Sequence, residues 1–416
     1  MRNYVILISC MVIVFSSVFV STLTAGESRT VELIRQKAEK GNSDSMLILA
    51  FMYRKGEGVE QDLKKAVQWY KKSAATGNSE AMNSLAMMYE SGEGVDRDFR
   101  QAISWYNKAA DAGDTNAMFY LGMIYHQGYD DIRQDISQAV YWYKKAVNAG
   151  DSSAMYRLAG MYSAGEGVDR DDIKAADLYL SSSNAGNVSA MFKTAGLYQA
   201  GRGVRQDDHQ AFAWFEKAAE GDHADAMNAL GKIYQQGRGT SQNDWKAAKW
   251  FLKAAEAGQV EAMNTIASIF VSGTGFSRDS SKAVYWYRNA AENGNIEAMY
   301  ELGVRYYHGN DLVRDSRAAA KWLMYAAQGG NIEAMVLVSE MMISGEGMPI
   351  NAEKAFEWCS TAANAGNVEA MLMLAKMYKD GTGIGKDDKK VAMWYKKAAE
   401  AGNEEAKKKL KMIASK

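Results

Sequence analysis

Residues 77–113 read GNSEAMNSLAMMYESGEGVDRDFRQAISWYNKAADAG, and the order of small, large and turn-forming residues in this stretch decides the fold. Gly77-Asn78 opens a segment in which Ala81, Met82, Leu85, Ala86 and Tyr89 fall at i, i+1, i+4, i+5 and i+8. That spacing gathers apolar side chains on one side of a helix with a period near 3.6. Gly92 ends the helix, as glycine commonly does in the left-handed cap. Gly92-Glu93-Gly94-Val95 forms a turn, and Asp98 starts a second helix. Ala102, Trp105, Tyr106, Ala109 and Ala110 carry the buried side of that helix up to Gly113. Two antiparallel helices joined by a short turn are predicted.

The stretch is one copy of many. Its Ala-Met pair, or a near equivalent, returns at Met46, Met82, Met118, Met155, Met191, Met227, Met263, Met299, Met335 and Met371, with Lys407 in register afterwards. Every spacing is 36 residues except one of 37, whose extra residue lies in the loop Gly128-Tyr129-Asp130-Asp131-Ile132. Ten full units follow, with an incoming half-unit at about 28–40 and an outgoing helix at 404–414. A unit that cannot bury its apolar side alone must stack on its neighbours, so an all-α solenoid of helix-turn-helix repeats is predicted.

Capping chemistry places the boundaries independently of the apolar pattern. The position opening the second helix reads Asp62, Asp98, Asp135, Asp171, Asp207, Asn243, Asp279, Asp315, Asn351 and Asp387. Asp and Asn accept the orphan N–H groups at a helix start. The position opening the first helix is Asn or Asp in nine of eleven cases from Asn42 to Asn403, His223 and Gln259 being the exceptions.

Each second helix also offers one large ring, at Trp69, Trp105, Trp142, Trp214, Trp250, Trp286, Trp322, Trp358 and Trp394, with Leu178 substituting in the fourth unit. These tryptophans are expected to be structural, each burying about 150–250 Å². The first helix is expected to supply the small residues opposite them, among them Ala50, Ala86, Gly122, Gly231 and Gly303. The repeated methionines read as core on the same grounds, because they hold one position on an apolar helical side.

The pattern Ala-x-x-x-Leu-(Ala/Gly)-x-x-Tyr-x-x-Gly-x-Gly-Val-x-x-Asp-x-x-x-Ala-x-x-Trp-Tyr-x-Lys-Ala-Ala resembles the Sel-1-like repeat family, a relative of tetratricopeptide repeats with a slightly longer unit. The resemblance covers about residues 28–414. It implies a right-handed superhelix that scaffolds protein complexes, and bacterial members with a signal peptide act in the cell envelope or in contacts with a host cell. Two loops depart from the pattern: after Gly128 and Gly309 the second glycine is replaced by Asp130 and Asp311, so both are expected to differ in shape.

Composition agrees with helix nearly throughout, since Pro349 is the one proline in 416 residues and proline breaks helix interiors. A formal net charge of −1, with basic residues dispersed along the chain, excludes the lysine and arginine stripe that nucleic-acid binding needs. The first 25 residues stand apart. Arg2 precedes an apolar run from Tyr4 to Val20, and Ser21-Thr22-Leu23-Thr24-Ala25 ends on a small residue. This is the layout of a secretory signal peptide, so an exported protein, periplasmic or secreted, is expected. An uncleaved anchor is the alternative, and it is the one route to membrane contact. Leu7-Ile8-Ser9-Cys10 resembles a lipobox, but the apolar run continues past Cys10. After cleavage only Cys359 remains, which excludes an intramolecular disulfide.

A search for catalytic chemistry yields little. His126, His209, His223 and His308 sit in different units, without the short spacings of a zinc site. Some cysteine-rich relatives of the family resemble penicillin-binding proteins in activity, yet neither Ser-x-x-Lys nor Gly-x-Ser-x-Gly occurs here. Gly381-Thr382-Gly383-Ile384-Gly385-Lys386 imitates a phosphate loop, but Asp387 replaces the Ser or Thr such a loop needs, and no strand precedes it. Asp171-Asp172 and Asp387-Asp388 suggest calcium less than they suggest helix caps. No cofactor, no metal and no enzymatic activity are expected.

What the repeat leaves unspecified on the first helix is a candidate docking stripe at the position after each repeated methionine. It reads Leu47, Asn83, Phe119, Tyr156, Phe192, Asn228, Asn264, Tyr300, Val336 and Leu372, with Met87, Met123 and Tyr307 as neighbours along the helix. Phe119, Tyr156, Phe192, Tyr300 and Tyr307 are the candidate partner-binding residues, because aromatic anchors dominate interfaces. The competing reading packs Phe119, Tyr156 and Phe192 against the adjacent unit. The expected function is an exported, non-enzymatic and monomeric adaptor that binds a protein. A carbohydrate-binding or exopolysaccharide-assembly component is the second reading, and a beta-lactam hydrolase-like enzyme the third.

Overall fold

A computed structural model describes residues 25–129 and 132–414. The signal peptide expected at residues 1–25 lies outside the described residues except for Ala25, where the first helix begins. Helices run from Ala25–Glu39 to Glu404–Ala414, and consecutive helices pack on one another as far as Ser152–Ala164 and again from Asp172–Asn184 onward. Among the described residues there is no strand, only an isolated bridge between Tyr129 and Ile132. No described helix is long and apolar enough to cross a membrane. The chain divides into two compact units, Met1–Asp171 and Asp172–Lys416.

Within each unit every repeat is a first helix of 13 residues, a loop, and a second helix of 13 residues, as in Ser79–Ser91 and Phe99–Asp111. The caps fall where the sequence puts them. Asp98 accepts the N–H of Gln101 at 3.0 Å and Asn78 that of Ala81 at 2.8 Å. Gln259 does the same work with a longer arm, accepting from Ala262, whereas His223 makes no side-chain cap.

Packing inside a repeat corrects one expectation. The small residue of the first helix faces the residue after the tryptophan. A Cβ built on Gly122 would lie 2.6 Å from the Tyr143 ring, one on Gly231 2.6 Å from Phe251, and one on Gly303 2.7 Å from Leu323. Accordingly Tyr106 is 0% and Phe251 1% exposed, and Tyr70 and Tyr143 are as deeply buried. The tryptophans sit one step round the helix, at the rim of the core. Trp142, Trp214 and Trp394 are buried, but Trp69, Trp105, Trp250, Trp286, Trp322 and Trp358 are only part-buried. At Trp69, Trp105 and Trp250 a lysine three residues on covers the open side: the ammonium lies 4.0 Å from the ring for Lys72 and Lys108, and 4.6 Å for Lys253. The lysine stem shields the indole while its charge stays in water.

The loops link one repeat to the one before. A Cβ on Gly347 would lie 1.9 Å from the carbonyl oxygen of Ser316, the first residue of the preceding second helix, and Gly347 has φ +72°. Only a residue without a side chain fits there. The two unusual loops behave differently from each other. Asp311 adopts φ +62° and keeps the turn of its neighbours, which aspartate tolerates better than most side chains. The expectation that this loop differs is therefore wrong. The other does differ: Gly128 takes φ 69° and ψ 145°, the bridge at Tyr129 follows, and the Tyr129 ring stacks on Phe99 at 4.8 Å.

Candidate functional site

Three first helices in the second unit, Ile296–His308, Val368–Asp380 and Ile332–Ser344 between them, bury one side through Ala298, Leu302, Ala334, Val338, Ala370 and Leu374. The turn of the helix then leaves the positions of Glu297, Tyr300, Glu301 and Val304 on the opposite side, with Glu333, Leu337 and Glu340 and then Glu369, Leu372 and Met373 in the same places. An open cleft of about 520 Å³ follows on this side, lined by Glu340, Ile343, Leu372, Met373, Tyr395 and Lys376 among others.

Charge on this face is lopsided. Glu301 pairs with Arg305 of its own helix. Glu297, Glu333, Glu340 and Glu369 form no ion pair among the described residues; Glu297 only accepts a 3.4 Å hydrogen bond from Asn331. Burial and the neighbouring charges of Glu301 and Glu333 push the Glu297 carboxyl up, and burial with Glu369 does the same to Glu340. Tyr300 sits among them, its phenol raised first by burial and then by Glu301, Glu333, Glu297 and Glu369. Four carboxylates from three successive first helices thus bear on one half-buried ring.

The five aromatic candidates fall in both units, Phe119 and Tyr156 in the first and Phe192, Tyr300 and Tyr307 in the second. In the first unit, Phe119 lies against Tyr120 and Tyr143, at 5.8 and 6.0 Å between ring centres, and Tyr156 is half-buried. In the second unit, Phe192 stacks on His223 at 4.5 Å and meets Phe215 edge-on at 5.7 Å. Those contacts engage the faces of Phe119 and Phe192 in packing. Tyr300 and Tyr307 share one helix; Tyr307 lies near Glu346 and Glu340, whose charges raise its phenol after burial does. On the rest of the stripe Asn83, Asn228 and Val336 are buried. The amide oxygens of Asn83, Asn228 and Asn264 lack a hydrogen-bond partner, although Asn228 Nδ2 donates to Glu261 at 3.0 Å. A buried acceptor left unpaired requires an explanation.

Sequence reading passed over the carboxylates, though a signal was present. Asp225, Glu261, Glu297, Glu333, Glu369 and Glu405 all precede the Ala of the repeated pair, in five consecutive repeats and the outgoing helix. The helix dipole accounts for an acid in a first turn, which made the column look structural. It does not account for Glu340, two turns further on.

The remaining reactive groups are separated or buried. His126 meets Glu166 at 3.1 Å, while burial lowers the pKa of His223 despite nearby Asp225. Among the described residues no group of three or more His, Cys, Asp or Glu is placed to hold a metal ion. Cys359 is fully buried, its S–H donates to the Ala370 carbonyl at 3.3 Å, and burial pushes the thiol up to about 12.

The sequence profile of the Sel1 repeat matches ten consecutive segments: 43–78, 79–114, 115–151, 152–187, 188–223, 224–259, 260–295, 296–331, 332–367 and 368–403. The fold is similar to that of c5321, described as a protective antigen present in uropathogenic Escherichia coli strains and displaying an SLR fold. Identity is 30% over 92% of this chain and 82% of that one, with a TM-score of 0.79. A Sel1 repeat protein from Oxalobacter formigenes is 28% identical over 75% of this chain and 90% of its own, with a TM-score of 0.56. No curated protein matches the sequence.

Proposed function

This chain belongs to the Sel1 repeat family, and from that premise we propose that it is an exported, non-catalytic adaptor that binds a partner protein on the side lined by its first helices. One observation carries the reading: Tyr300 stands half-buried on that side, bearing on Glu333, Glu297 and Glu369, which have no cation of their own among the described residues, as well as on the paired Glu301. An aromatic anchor ringed by unpaired charge is the combination that interface hot spots use, because a partner both desolvates the ring and neutralises its surroundings. The remaining chemistry supports binding over turnover. Cys359 is buried and protonated, and the histidines belong to different repeats. Export is supported by the apolar run from Tyr4 to Val20 after Arg2, and accords with the description of the 30% identical relative as a protective antigen. The adaptor works as a monomer in the bacterial envelope or at the host interface.

The test is site-specific photo-crosslinking in the native cell, with benzoylphenylalanine at Tyr300 or, as a control, at the exposed second-helix residue Tyr285. Protein adducts at position 300 and few at 285 are expected. Equal adducts at both positions, or binding confined to a glycan array, would overturn the proposal.

A further inference from the structure

Resting on the protein-binding reading, we infer that the cleft beside Val368–Asp380 takes a Lys or Arg side chain of the partner, seated between Glu340 and Glu369, together with a large apolar residue next to it.

Other repeats of the same unit show what these two positions do when the chain satisfies them itself. Lys232 and Glu261, 29 residues apart on the first helices Ala224–Gln236 and Val260–Ser272, form an ion pair at 2.8 Å. Asn228 gives Glu261 a second hydrogen bond at 3.0 Å. Three repeats on, the positions of Lys232, Glu261 and Asn228 are held by Glu340, Glu369 and Val336. Both donors are gone, and a second carboxylate stands in place of the ammonium.

Glu340 and Glu369 line one cleft, and neither has a cation among the described residues. Burial and the charge of Glu369 push the Glu340 carboxyl up, as happens when two acids share a site. A cation entering from outside restores the pair that the fold makes for itself at Lys232. The lysines of the cleft do not supply it. Lys376 and Lys379 follow Glu369 by roughly two and three turns of the helix. In register Lys376 falls opposite Glu405, which Lys409 holds at 2.6 Å.

The cleft is more than a pair of acids. It encloses about 520 Å³, and Ile343, Leu372 and Met373 line it half-buried, with Met377 and Tyr395 buried in its wall. A lone metal ion or a small amine would leave this apolar lining wet. A large apolar side chain beside the cation takes it out of water, which is the favourable part of the contact.

The experiment uses the full chain and a fluorescein-labelled peptide, Gly-Ser-Leu-Arg-Leu-Ser-Gly, read by fluorescence anisotropy. Replacing its arginine by citrulline, or both leucines by serine, should weaken binding about tenfold, the worth of one charge-assisted hydrogen bond or one buried apolar side chain. Glu340→Lys supplies the cation from within, so it should raise the melting temperature and weaken the peptide about tenfold. Should that chain fail to fold, Glu340→Gln replaces it, with binding several-fold weaker. Glu357→Gln, exposed on the second helix of the same repeat, should bind as the unaltered chain does. No binding, equal binding of the citrulline or serine peptide, or unchanged binding by a folded Glu340 variant would overturn the inference. Protein adducts at position 300 alongside any of these results leave the adaptor standing; no protein adduct there would remove both.

Discussion

A single methyl group at Gly231 tests how each repeat is packed. The Cβ of Gly231→Ala would lie 2.6, 2.7 and 2.8 Å from Cε1, Cδ1 and Cζ of Phe251, against ~3.5–4.0 Å for carbon atoms in favourable contact. Phe251 is 1% exposed and has nowhere to swing. Overfilling a packed core of this kind costs about 1–3 kcal/mol. The same exchange at Gly196, also inside a first helix, meets nothing within 4 Å, and should only gain the ~1 kcal/mol of helix propensity that alanine has over glycine. Urea unfolding followed by circular dichroism should place Gly231→Ala below Gly196→Ala by about 1–3 kcal/mol. In a Phe251→Val background the penalty should largely disappear, a coupling of contacting residues of about 0.5–3 kcal/mol. In a Trp250→Val background it should persist. If Gly231→Ala stabilises as Gly196→Ala does, or if the tryptophan exchange is the one that relieves it, the packing scheme is wrong.

Three further outcomes are expected. Asp311→Gly should stabilise the chain by about 1 kcal/mol, since a left-handed backbone costs a side-chain-bearing residue about that much, while Gly347→Ala should lower the melting temperature; scanning calorimetry reads both. The Glu340 carboxyl is pushed up by burial and by Glu369. The folded chain thus holds a proton that the unfolded chain has already released, and stability falls as pH rises through that window. Glu340→Gln should therefore raise the melting temperature at neutral pH and leave it unchanged at about pH 3, below the ordinary glutamate range; a gain at both would contradict the electrostatic cause. With Cys10→Ser removing the other thiol, Cys359 should react with a disulfide reagent at mildly alkaline pH no faster than the chain unfolds, because the thiol is held at about 12 and thiolate is the reactive form.

Much of the fold was legible because its causes are local. The caps at Asn78 and Asp98 bond to N–H groups three residues away, and the 3.6-residue period needs no partner to be seen. Gln259 shows the limit of reading by residue type, since it caps although it is neither Asp nor Asn. The candidate site was less legible. Tyr300 stands out as an aromatic in a stripe of mixed residues, but Glu333 and Glu369 do not, since nothing along the chain separates a carboxylate with a cation from one without.

The linear order of residues determined the repeat, its helix boundaries and the stacking of each unit on the next, because a 36-residue period and its caps are written within a few turns of chain. Tertiary structure decided which ring each small residue faces. Trp250 and Phe251 are neighbours about 100° apart on one helix, and only the angle at which the first helix crosses them selects Phe251 for Gly231. It also decided that Asp311 takes a glycine's backbone, and that Glu297, Glu333 and Glu369 go unpaired while Glu261 finds Lys232. Those outcomes depend on distances between repeats.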